Sequence, residues 1–159
     1  MKFLVRVPPS GQGSSSSAAG AAEPASATSP VVVVPVGVKL QLLFSVRMTT
    51  EGYTGSERFD TLFASVKDQA TGKVTEVWNS ADAFGSNTTK FEPVVVDVSQ
   101  FAGKSIQIEF LFDSGDAFFN DFEGVYIDKI RLETGCCLQN GDCVNSDCTS
   151  GFCVSKRCE

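Results

Sequence analysis

The residues best placed to do chemistry lie in one short acidic stretch: Asp113, Asp116, Asn120, Asp121 and Glu123, closed by Gly124. Oxygen ligands at this density suit a hard divalent cation. Calcium (Ca2+) takes roughly 6–8 oxygens from carboxylates, amide side chains and main-chain carbonyls. Two further acids join the stretch by parity. Asp60 and Asp128 each fall on the apolar face of an alternating segment, and a lone buried carboxylate is costly unless it is paired or binds a metal. The candidate ligands are therefore Glu51, Asp60, Asp116, Asn120, Glu123 and Asp128, around a structural calcium ion. The loop is not an EF-hand: counted from Asp113, its third and fifth positions are Gly115 and Ala117. The plainer reading of the same acids is a solvated loop that caps turns, with Asp60 and Asp128 paired to Arg58, Arg47 or Lys104.

Catalytic chemistries are few. The chain contains no His, which removes Ser-His-Asp and Cys-His catalysis and every His-based zinc site. Asp116 and Glu123 would suit glycoside hydrolysis as a carboxylate pair, but no cleft signature accompanies them. We therefore expect no enzyme within this chain. The aromatics Tyr53, Trp78, Phe118, Phe119 and Phe122 offer a ligand platform, with core packing the stronger reading because aromatics dominate cores. The triplet Asn87, Thr88 and Thr89 matches a glycosylation acceptor.

All six cysteines, Cys136, Cys137, Cys143, Cys148, Cys153 and Cys158, fall in the last segment. An even, clustered set reads as a disulfide module made in an oxidising compartment. Zinc is the poorer reading, because the thiols lack the paired C-x2-C knuckles of zinc ribbons. No C-x-x-C occurs to support redox catalysis. Six cysteines leave about 15 pairings open. A tail this short cannot build a sufficient core, so covalent staples are its expected support.

The elements that must position the acids are strands. In 38–48, Val38, Leu40, Leu42, Phe44, Val46 and Met48 alternate with Lys39, Gln41, Leu43, Ser45 and Arg47, the period of a half-buried strand. Pro35 and Gly37 separate this run from a short edge piece at 31–34. Segment 58–67 alternates again, with Asp60, Leu62, Ala64 and Val66 on one face. A turn at 67–73 leads to a short strand at 74–78, so the two read as a hairpin. Strands follow at 91–98 and 105–112. Beyond the acidic stretch, Tyr126, Asp128, Ile130 and Leu132 share one face of a last strand, with Lys129 and Arg131 on the other. No window carries a sustained helical period. The fold expected is all-β, an antiparallel β-sandwich over 31–135. Residues 1–30 read as a disordered linker or truncated N-terminus, rich in Ser, Ala, Gly and Pro. Residues 136–159 form the disulfide module.

With 19 acidic against 13 basic residues the net charge is −6. No basic stripe exists for nucleic acid, and no run of about 18 apolar residues exists to span a membrane. The start MKFLVRVPPSG is too short in apolar residues for a signal peptide, so either the true start lies upstream or, the favoured reading, the chain is a fragment of a longer secreted protein.

Residues 30–135 resemble the bacterial extracellular jelly-roll modules related to MAM domains and to the C-terminal domains of immune-inhibitor-A-type secreted proteins. The motifs that carry the resemblance are SPVVVVPVG, LFSVRMTTE, RFDTLFASVKD, VDVSQFAGKSIQIEFLFDSGD and NDFEGVYIDKI. Two departures stand out. Such modules usually begin with a further strand upstream of the SP motif; here the sandwich either lacks that edge strand or takes it from VRV near the start. Lys129 stands where a second acid is usual. The tail is similar to short Cys-rich repeats on secreted deltaproteobacterial proteins. The resemblance implies a jelly-roll-like fold, a structural calcium and a non-catalytic binding or accessory role. The expected location is extracellular or the cell surface, and the expected partner an extracellular glycan or protein. The alternative is a fragment of a secreted hydrolase, such as a metalloprotease, whose catalytic domain lies outside this chain.

Overall fold

The structure, a computed structural model, describes residues 25–50, 53–54, 57–58, 60–84, 87–113, 122–135, 148–149 and 152–153. Its strands in chain order are β1 (Ala25–Thr28), β2 (Val32–Val33), β3 (Lys39–Thr49), β4 (Tyr53–Thr54), β5 (Glu57–Arg58), β6 (Thr61–Asp68) and β7 (Val74–Asn79). There follow α1 (Ser80–Ala83), β8 (Glu92–Asp97), β9 (Ser105–Asp113), β10 (Gly124–Gly135), β11 (Cys148–Thr149) and β12 (Phe152–Cys153).

Alternation builds β3 as the sequence predicts: Leu40, Leu42, Phe44, Val46 and Met48 are buried, while the intervening residues are half-buried. β3 is the centre of a three-stranded sheet, ordered β10-β3-β8. In the facing sheet the order is β1-β9-β6-β7, with β2 also on β9. All pairings are antiparallel, and the two sheets form an all-β sandwich. The chain changes sheet between β2 and β3, between β3 and β6, between β7 and β8, and at both ends of β9, as in a jelly roll.

Phe44 joins the two layers. Its ring meets Trp78 of β7 edge-on at 5.2 Å and Phe110 of β9 at 5.1 Å. Burying one such side chain is worth about 1.5–3 kcal/mol, and edge-to-face pairs add about 0.5–1.5 kcal/mol each. Leu62, Ala64 and Val66 of β6 and Ile106, Ile108 and Phe110 of β9 complete the larger sheet's contribution to the core.

The N-terminal boundary differs from the expectation. Ala25–Thr28 lies within the stretch read as linker, yet it pairs with residues 109–112 of β9. β2 pairs with 105–106 further along the same strand, so β1 and β2 form one interrupted edge strand. Pro30 lacks an N–H and breaks it. Ser29 bridges the break: its N–H donates to the Ile108 carbonyl at 2.9 Å, and its Oγ accepts from the Ile108 N–H at 2.9 Å. The pairing comes from the open edge of β9 rather than from the hydrophobicity of ASAT.

Turns follow their chemistry. Asn79 caps α1 by accepting from the Asp82 N–H at 2.8 Å. Gly103, at φ +79°, closes the turn before β9, where a Cβ would stand 2.8 Å from Val36 Cγ1. Among the described residues no helix is long and apolar enough to cross a membrane.

Candidate functional site

Four strand ends meet at one end of the sandwich. The register sets Thr61 opposite Asp113 and Gly124 opposite Thr49, so β3 and β9 finish where β6 and β10 begin. The connection 51–60 and the acidic connection 114–123 both start and finish there. Asp60 precedes β6 directly, is 4% exposed and adopts φ 55°. Its burial agrees with its parity. A left-handed backbone is uncommon for a residue other than Gly, and Asp and Asn tolerate it best.

Neighbouring side chains fix this end. The Asn87 amide clamps Thr50 from both sides: Oδ1 accepts from the Thr50 N–H at 2.7 Å and Nδ2 donates to the Thr50 carbonyl at 2.8 Å. Asn87 is therefore a structural clamp whose amide nitrogen is already engaged, a role its acceptor-triplet motif does not suggest. Thr88 Oγ1 accepts from the Met48 N–H at 2.9 Å.

Asp128 does not lie where parity predicts. Val125 and Ile127 are the buried residues of β10, and Asp128 stands on the opposite, half-buried face. The reason is a β-bulge. The register shifts between Asp128 and Arg131, with Lys129 in the left-handed region at φ 57°. One extra residue on β10 reverses its parity, so that Ile130 and Leu132 turn inward to pack on the core. Asp128 Oδ1 accepts from the Lys129 N–H at 2.8 Å. The carboxylate read as a buried ligand instead braces the bulge. It also sits four residues along β10 from Gly124, on the order of 13 Å from the acidic end.

Glu123 is drawn the same way, toward the outer face. Its Oε2 lies 2.6 Å from an Arg47 guanidinium nitrogen, and that guanidinium lies 4.7 Å from the centre of the Tyr126 ring. Arg47 and Tyr126 are cross-strand partners, which explains the stack. Of the six candidate ligands, Asp60, Glu123 and Asp128 are described and do not converge. Among the described residues no group of three His, Cys, Asp or Glu side chains is poised to hold a metal. Glu51, Asp116 and Asn120 lie outside the described residues.

Lys104 pairs with neither Asp60 nor Asp128. Its Nζ lies 3.0 Å from Oδ2 of Asp68, a buried carboxylate at the far end of β6. That hydrogen bond, with help from the Ala70 N–H, holds the Asp68 carboxyl below the usual carboxylate range. Asp68 continues the parity of Asp60, Leu62, Ala64 and Val66, so the same pattern could have found it. Asp97 is lowered too, by the Ser99 side chain and N–H.

Of the aromatics, Trp78 packs between Phe44 and Phe84 and Phe122 is 39% exposed; Phe118 and Phe119 lie outside the described residues. Of the cysteines, Cys148 and Cys153 are opposite one another in the β11–β12 pair, while Cys136, Cys137, Cys143 and Cys158 lie outside the described residues. Neither the protein-family models nor the curated proteins yield a match to this chain.

Proposed function

We propose that the chain is an extracellular or cell-surface, non-catalytic binding or accessory module whose acidic end is ordered by a calcium ion. The observation that supports this most is the convergence of β3, β6, β9 and β10 at the end where Asp60 is buried and the acidic connection begins and ends. Asp60 is the described residue that suits a ligand role. Glu51, Asp116 and Asn120 are the sequence candidates in the connections that leave this end. Glu123 is the weaker candidate, being held by Arg47, and Asp128 is dropped. The ion would supply charge neutralisation and a fixed loop geometry. The loop could then present a surface to a glycan or a protein.

The test is a pair of measurements on the oxidised chain. Metal content is determined after purification without chelator, and melting is followed with and without excess EGTA. Bound calcium and a lower melting temperature in EGTA support the reading. Absence of both sinks it, leaving a hydrogen-bonded acidic turn. A glycan array with and without calcium then addresses the partner.

A further inference from the structure

On one side of the sandwich the edge strands β1/β2 and β10 do not close on each other. Between them lies a cavity of about 360 Å³. Its floor is Leu42, Ile108 and Phe110, all buried. Ala27 forms one wall, and Ile130 and Leu132 the other. The bulge at Lys129 makes that second wall apolar, because without it Lys129 and Arg131 would point inward.

The lining defines the occupant. The polar groups of Ser29 at the opening are already engaged: its Oγ accepts from the Ile108 N–H and donates to the Pro30 carbonyl, and its carbonyl accepts from Gln107 Nε2. A polar ligand would leave its own groups unpaired inside, at considerable cost. The volume is at the small end of ligand pockets. It is roughly twice the cavity of about 150 Å³ that takes one benzene ring, room for a chain of about 10–12 carbons. Val31 and Val33, on the segment that edges the cavity, are 51% and 75% exposed. They give an incoming apolar chain a surface to meet first. The charged residue at the rim of the cavity is Arg131, whose side chain the bulge turns to the outer face, 56% exposed. Its Nε is 2.6 Å from Glu133 Oε1, which leaves its terminal guanidinium N–H groups for a carboxylate.

We propose that this cavity binds the hydrocarbon chain of a free medium-chain fatty acid, with the carboxylate at Arg131. The site is independent of the acidic end. The experiment titrates dodecanoate, and separately dodecanol, into the full oxidised chain by calorimetry, with melting curves in parallel. The expected result is saturable 1:1 binding of dodecanoate and a raised melting temperature. Arg131→Gln, a surface change, should weaken dodecanoate at least tenfold and leave dodecanol unchanged. Ala27→Phe, checked for folding by circular dichroism, should abolish both by filling the cavity. No saturable dodecanoate binding to the wild-type chain overturns the proposal. So does wild-type affinity in both variants, which would place the ligand elsewhere. An Arg131→Gln loss equal for acid and alcohol overturns the assignment of the carboxylate.

Discussion

Replacing Lys129 with Gly should stabilise this protein, although Gly inside a strand normally does the reverse. Lys129 sits at φ 57° in the bulge of β10. A side chain with a Cβ costs roughly 1–2 kcal/mol in the left-handed region. Gly relieves that strain but gives back about 0.5–1 kcal/mol of unfolded-chain entropy. The Lys129 N–H to Asp128 Oδ1 bond is a main-chain donor and survives the change. The net gain is therefore about 0–1.5 kcal/mol, and its midpoint corresponds to a rise in melting temperature of roughly 2–6 °C for a domain of this size. Lys129→Val is the opposing control: it keeps the Cβ cost that Lys129 already carries and adds β-branching, a genuine outlier at positive φ, so it should lower stability rather than raise it. Urea denaturation read by circular dichroism gives both numbers. If Lys129→Gly destabilises by the 0.5–1 kcal/mol expected of an ordinary strand position, the strand is regular. The parity reversal and the outward Asp128 would then both be wrong.

Four other outcomes are expected. Phe44→Ala should cost about 3–5 kcal/mol, read as a lower urea midpoint, because its ring is the contact shared by Trp78 and Phe110. The carboxyl of Asp68 binds its proton less tightly folded than unfolded, so its pair with Lys104 adds stability above about pH 4 and loses it as the pH falls below that. Lys104→Met should flatten that acid limb in urea midpoints taken across the range. Asp60→Asn, which keeps a residue tolerant of the left-handed backbone, should remove chelator sensitivity in melting curves; Asp128→Asn should retain it. Intact mass of the chain purified without reductant should lie about six hydrogens below that of its reduced form if the tail carries three disulfides, and alkylation of six thiols without prior reduction would refute this.

Period-two reading recovered the strands whose burial comes from their own side chains. β3 and β6 appear with the predicted faces, and Asp60 is buried as its parity requires. The same rule failed on β10 because it assumes an uninterrupted ladder. A bulge at Gly announces itself in sequence, but here the left-handed position is Lys129. β1 was invisible for a different reason: Ala25–Thr28 carries no apolar pattern and is a strand because β9 offers it an edge. The acidic end was legible as composition. Its pairings were not, since Glu123 is claimed by an Arg47 whose position depends on the cross-strand Tyr126. The cavity could not have been read at all, because it exists between two strands far apart in the chain.

Trp78 is the chain's one tryptophan, and its place gives the molecule a built-in optical gauge. The indole belongs to the larger sheet, while the Phe44 ring it abuts belongs to the smaller one. Its emission therefore tracks the spacing between the layers, together with the contact to Phe84 at the end of α1. Trp78 is half-buried, and parting the layers would admit more water to the indole and shift its emission to the red. A fluorescence trace in rising denaturant thus follows the sliding apart of the two leaves of the sandwich without an added label.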